Sequence, residues 1–294
     1  MGQWIELGKE DLRRIPKRKK DAHKGSYKKL LVIAGSKGMS GAAYLCALAA
    51  YRTGAGLVKI LSCAENRQIL QSSLPEAIIE EYDEALLQQK EKFAEKLEAA
   101  LSWADLAVLG PGMGKGEHVE ALIEIVLRRF KKPLILDADG LNALASRFDL
   151  MNLLGERIII TPHPKEMERL SKKSLQEILD DPVASAGDFS GRFHTITVLK
   201  LSKTIIVDKE KIYRNISGSP ALAKAGSGDV LCGVIAGLIC LGISPGEAAA
   251  LGVYLHGLAG EIAGEIYGEH GAMARDVIAA IPDAMRGKIP GGVD

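Results

Sequence analysis

Leu30-Leu31-Val32-Ile33-Ala34-Gly35 is an unbroken apolar run that stops at a glycine. No polar residue alternates with the apolar ones, so both faces of the segment are buried, as in the inner strands of a parallel sheet. The residues that follow, Gly41 to Arg52, are rich in alanine and predict a helix able to lie close to that sheet. Similar apolar runs recur at Leu57 to Leu61, Leu106 to Leu109, Pro133 to Leu136, Arg157 to Ile160 and Thr195 to Leu199. From Leu106 onward each reads as leading through a turn into a helical pattern, and strands alternating with helices build a parallel sheet covered on both faces. After Lys200 the pattern changes. Thr204 to Val207 and Lys211 to Ile216 are short β-like runs around Asp208-Lys209-Glu210, which predicts an antiparallel edge hairpin. Helices are expected over 229–241, 245–267 and 272–285. Asp181-Pro182, Gly187 and Gly191 interrupt the stretch from Lys172 to Arg192, which reads as a surface excursion. The fold class is a three-layer α/β/α domain spanning 1–294, its central sheet mostly parallel.

Composition narrows the partners. The 294 residues are 47% hydrophobic and 26% charged, with a formal net charge of +1, so no global field favours nucleic acid or an anionic membrane. The basic run from Arg13 to Lys20 has no interleaved aromatics for base stacking and reads as a solvated entry to the first strand. Cys46, Cys63, Cys232 and Cys240 form no Cys-x-x-Cys pair and lie in apolar contexts, as small buried thiols of a reducing compartment. The N-terminus lacks an apolar signal core, and the longest apolar stretch, Val230 to Ile243, falls short of the ~20 residues of a membrane crossing. A cytoplasmic location is expected.

Ligands of parallel α/β sheets bind where strands end, and several strand exits here carry more than a connection needs. Ala225-Gly226-Ser227-Gly228-Asp229 opens a long apolar helix. Ser227 or Asp229 could be no more than an N-cap. Alternatively the glycines aim backbone N–H groups at a phosphate, and Asp229 sits where a base for an attacking hydroxyl must be. Gly110-Pro111-Gly112-Met113-Gly114 is a glycine-rich turn without dinucleotide spacing, because Lys115 and Glu117 stand where a third glycine would fall. Nor is there a Walker A loop. Asp137-Ala138-Asp139 places two acids at one strand exit, one suited to a metal or phosphate and one to capping the helix from Gly140. In Thr161-Pro162-His163-Pro164-Lys165-Glu166 a histidine pinned between prolines suits ligand contact, while Glu166 is either a metal organiser or a first-turn acid. His256, on an apolar glycine-bearing helix, reads as a buried, hydrogen-bonded histidine.

Taken in order, these turns resemble one family, the ADP- or ATP-dependent NAD(P)H-hydrate dehydratases, metabolite-repair enzymes of ribokinase-like fold. The resemblance runs from about His23 to Asp276. It includes His23-Lys24-Gly25, Ile33-Ala34-Gly35-Ser36, Ser40-Gly41-Ala42-Ala43, Arg52-Thr53-Gly54-Ala55-Gly56-Leu57-Val58 and His256-Gly257-Leu258-Ala259-Gly260. It implies a carbon–oxygen lyase that restores NADH or NADPH from the S epimer of the hydrate, NADHX or NADPHX. The ring hydroxyl is phosphorylated, and phosphate is then eliminated. By the same resemblance Asp229 is the base, with Gly226 and Gly228 around the transferring phosphoryl group. Ala42, Ala43, Gly112, His163 and Asp229 contact the hydrate. Lys200, Leu201, Ser202, Lys203, Thr204 and Gly228 hold the nucleotide, ADP being the expected donor. Magnesium bridges the phosphates, with Glu166 as its candidate protein ligand. A homotetramer is implied, together with an epimerase on a separate chain.

One departure from the family pattern is Leu201, where Lys-Gly is usual. A side chain there restricts the backbone and bears on nucleotide preference. A vitamin-pathway kinase of a small alcohol, such as a thiazole or pyrimidine precursor, would share the fold and the Gly-x-Gly-Asp turn. It would release a stable phosphate ester, and the His163 and Gly110–Gly114 turns favour the dehydratase. A nucleotide sensor without catalysis would have no use for Asp229.

Overall fold

The structure, a computed structural model, describes residues 4–18 and 20–287. Lys19, in the basic run, lies outside them. The nine strands among the described residues share one sheet: β1 (Lys29–Ile33), β2 (Leu57–Cys63), β3 (Ile78–Tyr82), β4 (Leu106–Leu109), β5 (Leu134–Leu136), β6 (Ile158–Ile160), β7 (Ile196–Leu199), β8 (Ile205–Asp208) and β9 (Lys211–Arg214). Their order is β3-β2-β1-β4-β5-β6-β7-β8-β9. Strands β1 to β7 run parallel, and β8 and β9 form the expected antiparallel hairpin at one edge. Residues of β1, β4, β5 and β6 are buried on both faces, which explains their uninterrupted apolar runs. Strand order reverses beside β1, whose neighbours are β2 and β4, so the crevice at its carboxyl end is where such sheets take ligands.

Two apolar layers flank the sheet. On one face the helix Ser40–Thr53 packs against Ser227–Cys240, which in turn packs on Pro245–Tyr267. Small residues permit the close approach: a Cβ on Gly233 would stand 2.2 Å from the Cys46 carbonyl oxygen. The other face is covered by Lys90–Trp103, Glu117–Arg129, Asp139–Ser146 and Pro164–Ser171.

Several expectations need correction. Strand β3 is an edge strand whose Ile78 is exposed and whose Glu80 and Glu81 are half-buried, so it lacks the apolar run that marks its neighbours. The stretch from Lys172 to Arg192 is no surface excursion. It forms helices Leu175–Asp180 and Pro182–Phe193, which bury Ile178, Ala186 and Phe189. Asp181 caps the second through the Ala184 N–H, Pro182 occupies its first turn, and Gly187 and Gly191 sit inside it with open space around them. Cys46, Cys232 and Cys240 are buried, but Cys63 at the end of β2 is only half-buried. The basic run lies on the surface, with Arg14 paired to Asp11 and Arg18 stacked over Tyr27 while donating to the Gly54 carbonyl. No helix among the described residues is long and apolar enough to cross a membrane.

Candidate active site

Three side chains meet at successive strand exits. Asp137 immediately follows β5, Thr161 follows β6 and Lys200 follows β7. Lys200 Nζ stands 2.6 Å from Asp137 Oδ1, which also accepts from the Thr161 hydroxyl at 2.8 Å. Burial disfavours the ionised form of Asp137, but the Lys200 charge and these two hydrogen bonds outweigh it, and its pKa falls below the ordinary value. For Lys200, burial acts against the charged form, yet Asp137 and then Glu166 hold the ammonium protonated with a raised pKa. The pair lies on the floor of the site, each partner one residue beyond the end of its strand.

The turn after β5 is strained. Ala138 adopts φ 48, ψ −117, a region that residues with a Cβ rarely visit. The crowding is imposed from β4. Gly110 has φ 127, and a Cβ there would lie 1.9 Å from the Asp137 carbonyl oxygen. The strained residue sends its two neighbours opposite ways. Asp137 faces Lys200, and Asp139 Oδ2 accepts from the Gly114 N–H at 2.8 Å, tying the glycine-rich turn to β5. Neither acid caps the helix Asp139–Ser146, contrary to the sequence expectation, because both are used across the sheet.

Above this floor the helix Ser227–Cys240 begins. Gly226, at φ 90, turns the chain into it, and no side chain caps its first N–H groups. An uncapped helix start with glycine backbone around it is suited to an anion. A Cβ on Gly228 would lie 3.4 Å from Lys200 Nζ and 3.6 Å from Asp137 Oδ2, so the helix start rests directly on the ion pair. Asp229 lies in the first helical turn, partly buried. Burial, then the Asp137 and Asp139 charges, push its pKa up to about 7 against the pull of Lys200. Ser227 Oγ is 3.4 Å from His256 Nε2. His256 is buried as expected, and burial lowers its pKa to about 4, so the ring is neutral at pH 7.

A cleft of about 820 Å³ opens beside the helix start, lined in part by His163, Lys200, Leu201, Ser202, Thr204 and Gly228. Its volume suits a nucleotide-sized ligand. Lys203 is exposed and lies off this lining. Leu201 is not among the residues with positive φ, so its side chain costs the backbone nothing; it packs on the core as part of the cleft wall. Ala42 and Gly112 meet on the β1–β4 side, where a Cβ on Gly112 would stand 2.8 Å from that of Ala42. Ala43, one residue on, turns wholly into the core and is not brought to the site.

His163 caps the helix Pro164–Ser171. Its Nδ1 accepts from the Lys165 and Glu166 N–H groups, and its own N–H donates to Glu166 Oε2 at 2.8 Å. Burial, then the Lys200 charge, lowers the His163 pKa. Glu166 is buried, and burial raises its pKa. Its oxygens face the His163 N–H, His163 Nε2 at 3.4 Å and Lys200 Nζ at 3.9 Å. Capping, rather than metal ligation, is what this geometry shows. Among the described residues no three His, Cys, Asp or Glu side chains cluster closely enough to hold a metal ion. With Asp137 engaged by Lys200 and Asp139 by Gly114, the residues present do not fit a protein-built magnesium centre.

A parallel α/β/α sheet with a glycine turn and an acid at a helix start defines a ribokinase-like protein. A ribokinase-like superfamily protein from Enterococcus faecalis superposes with a TM-score of 0.84 at 25% identity, covering 96% of this chain and 95% of that one. The chain belongs to the NAD(P)H-hydrate dehydratase family, whose sequence model matches residues 30–283. An ADP-dependent (S)-NAD(P)H-hydrate dehydratase from Neisseria meningitidis is 35% identical over 92% of this chain and 89% of its own length. The ADP/ATP-dependent NAD(P)H-hydrate dehydratase from Bacillus subtilis, co-crystallised with ATP and Mg2+, superposes with a TM-score of 0.80 at 28% identity, covering 95% of this chain and 96% of that one. The chain spans about half the length of the bifunctional NAD(P)H-hydrate repair enzymes it also matches, 52% of that from Moorella thermoacetica at 36% identity over 92% of this chain.

Proposed function

We propose that this chain, acting as one domain, converts the S epimer of hydrated NADH or NADPH back to the reduced nicotinamide, with ADP as phosphoryl donor and ATP as the alternative. The observation that carries the proposal is the uncapped Gly226–Gly228 helix start with Asp229 one residue further on, in a chain of this family. Asp229 takes the proton of the ring hydroxyl as its oxygen attacks the terminal phosphorus of the donor. A carboxylate with a pKa near 7 is matched to that work at neutral pH. The phosphorus–oxygen bond to the donor breaks, leaving AMP when ADP is used, and the helix-start N–H groups stabilise the equatorial oxygens. The carbon–oxygen bond of the ester then breaks as the ring nitrogen's electron pair expels inorganic phosphate, and the adjacent ring carbon loses a proton to form the double bond.

Lys200, held by Asp137, brings positive charge beneath the phosphates, and the cleft lined by Leu201, Ser202 and Thr204 takes the nucleoside. Lys203 is assigned to its outer rim. His163, Ala42 and Gly112 face the hydrate. Magnesium enters bound to the nucleotide phosphates. A cytoplasmic homotetramer is the expected form.

The test is restoration of near-ultraviolet absorbance when the protein meets magnesium, chemically prepared NADH hydrate and either ADP or ATP. Recovery with ADP supports the proposal. A folded, nucleotide-binding protein that restores no absorbance with either donor overturns it.

A further inference from the structure

A second cavity, of about 350 Å³, lies on the far side of the strained 137–139 turn. Its lining draws on the exits of β4 and β5 and on the helix after β6, and includes Gly114, Lys115, Glu120, Asp139, Asn142 and Arg169. It therefore opens at the same carboxyl edge of the sheet as the larger cleft. Two links join it to the reacting centre. Asp139, on its wall, raises the pKa of Asp229, so the two carboxylates are within electrostatic reach. Asp137, two residues before Asp139, underlies Gly228.

The reaction needs two nucleotides at once, and the large cleft holds one. The smaller cavity has the lining a sugar phosphate needs. Arg169 is exposed and spends one N–H on the neutral Asn142 side chain at 2.8 Å, and Lys115 makes no ion pair among the described residues. Both cations are open to an anion. The acids are suited to hydroxyls: Asp139 is anchored by the Gly114 N–H, and Glu120 accepts from the Ser146 hydroxyl at 3.0 Å. Acids for a ribose diol and an arginine for phosphate are how proteins divide these groups between them.

We infer that this cavity is a subsite for the ribose-phosphate arm of the hydrated dinucleotide, with Arg169 and Lys115 on its phosphates. The inference rests on the proposed function, in which the dinucleotide is substrate. The experiment is steady-state kinetics of the Lys115→Gln/Arg169→Gln double variant, run with titration of the product NADH by its fluorescence. Loss of two charge-assisted contacts should raise KM for the hydrate and Kd for NADH about tenfold or more. KM for ADP should stay within twofold, which also shows the variant folded, and Arg169→Lys should recover part of the loss. An unchanged hydrate KM and NADH Kd, or a matching rise in the ADP KM, overturns the subsite. A parent protein that binds NADH here yet turns over no hydrate would instead count against the proposed function and leave the subsite standing.

Discussion

Asp229 is the residue on which chemistry and stability pull in opposite directions. Its folded pKa of about 7 lies above that of an unfolded aspartate, so between roughly pH 4 and 7 the folded state binds more protons than the unfolded one. The sign follows: this residue lets stability fall as pH rises through that window. Asp229→Asn removes the penalty without changing shape. The variant should bind ADP as the parent does, lose nearly all turnover, and gain about 2 kcal/mol at pH 8, a figure reduced for the partial exposure of the group. Denaturant midpoints of both proteins at pH 5 and pH 8 measure it. A gain that is larger at pH 5 would contradict the assignment. In the parent, kcat/KM should climb through an apparent pKa near 7 as the base ionises, and the variant should lack that limb.

The pairing of Ser40–Thr53 with Ser227–Cys240 is what aims the proposed anion site, and its closeness depends on glycine as a matter of space. In Gly233→Ala the added Cβ meets the Cys46 carbonyl oxygen, a backbone atom that cannot swing aside. The two helices must separate, at a cost of about 2–3 kcal/mol. Urea unfolding should show a lower midpoint at unchanged slope, with turnover reduced because the helix start shifts over Lys200. Sequence reading found both helices and eight of the strands: the inner ones because an apolar run is the whole signal where burial is two-sided, and β8 and β9 from the polar turn between them. It missed β3 because half of that strand faces water. It misjudged Pro182–Phe193 because a helix supported by Asp181 capping and buried Phe189 tolerates two glycines. The glycine turns and Asp229 were readable from residue type and place. The Asp137–Lys200 pair was not, since partners 63 residues apart are joined only by the side-by-side placement of strand exits. The roles of Ala42 and Ala43 diverged for a simpler reason. Consecutive helical positions point about 100° apart; both are buried, and only register against the sheet decides which one is sealed completely.

Across the whole molecule, the large cleft proposed for the nucleotide is shared by the β6 and β7 exits, the β8–β9 edge and the two long C-terminal helices. A ligand seated there ties these parts together and stabilises the fold by mass action. ADP with magnesium at a hundred times its Kd should contribute about 2.7 kcal/mol, raising Tm by about 5 °C, as a thermal melt would record. A Tm that ignores ADP would mean the cleft does not take it. The contact between Cys46 and Gly233 has another consequence, concerning the order in which the chain is made. On the ribosome the alanine-rich face of Ser40–Thr53 emerges long before the helix that covers it. Until Ser227–Cys240 follows, that helix face has no partner, and a nascent chain stalled before residue 227 should be a client of chaperones.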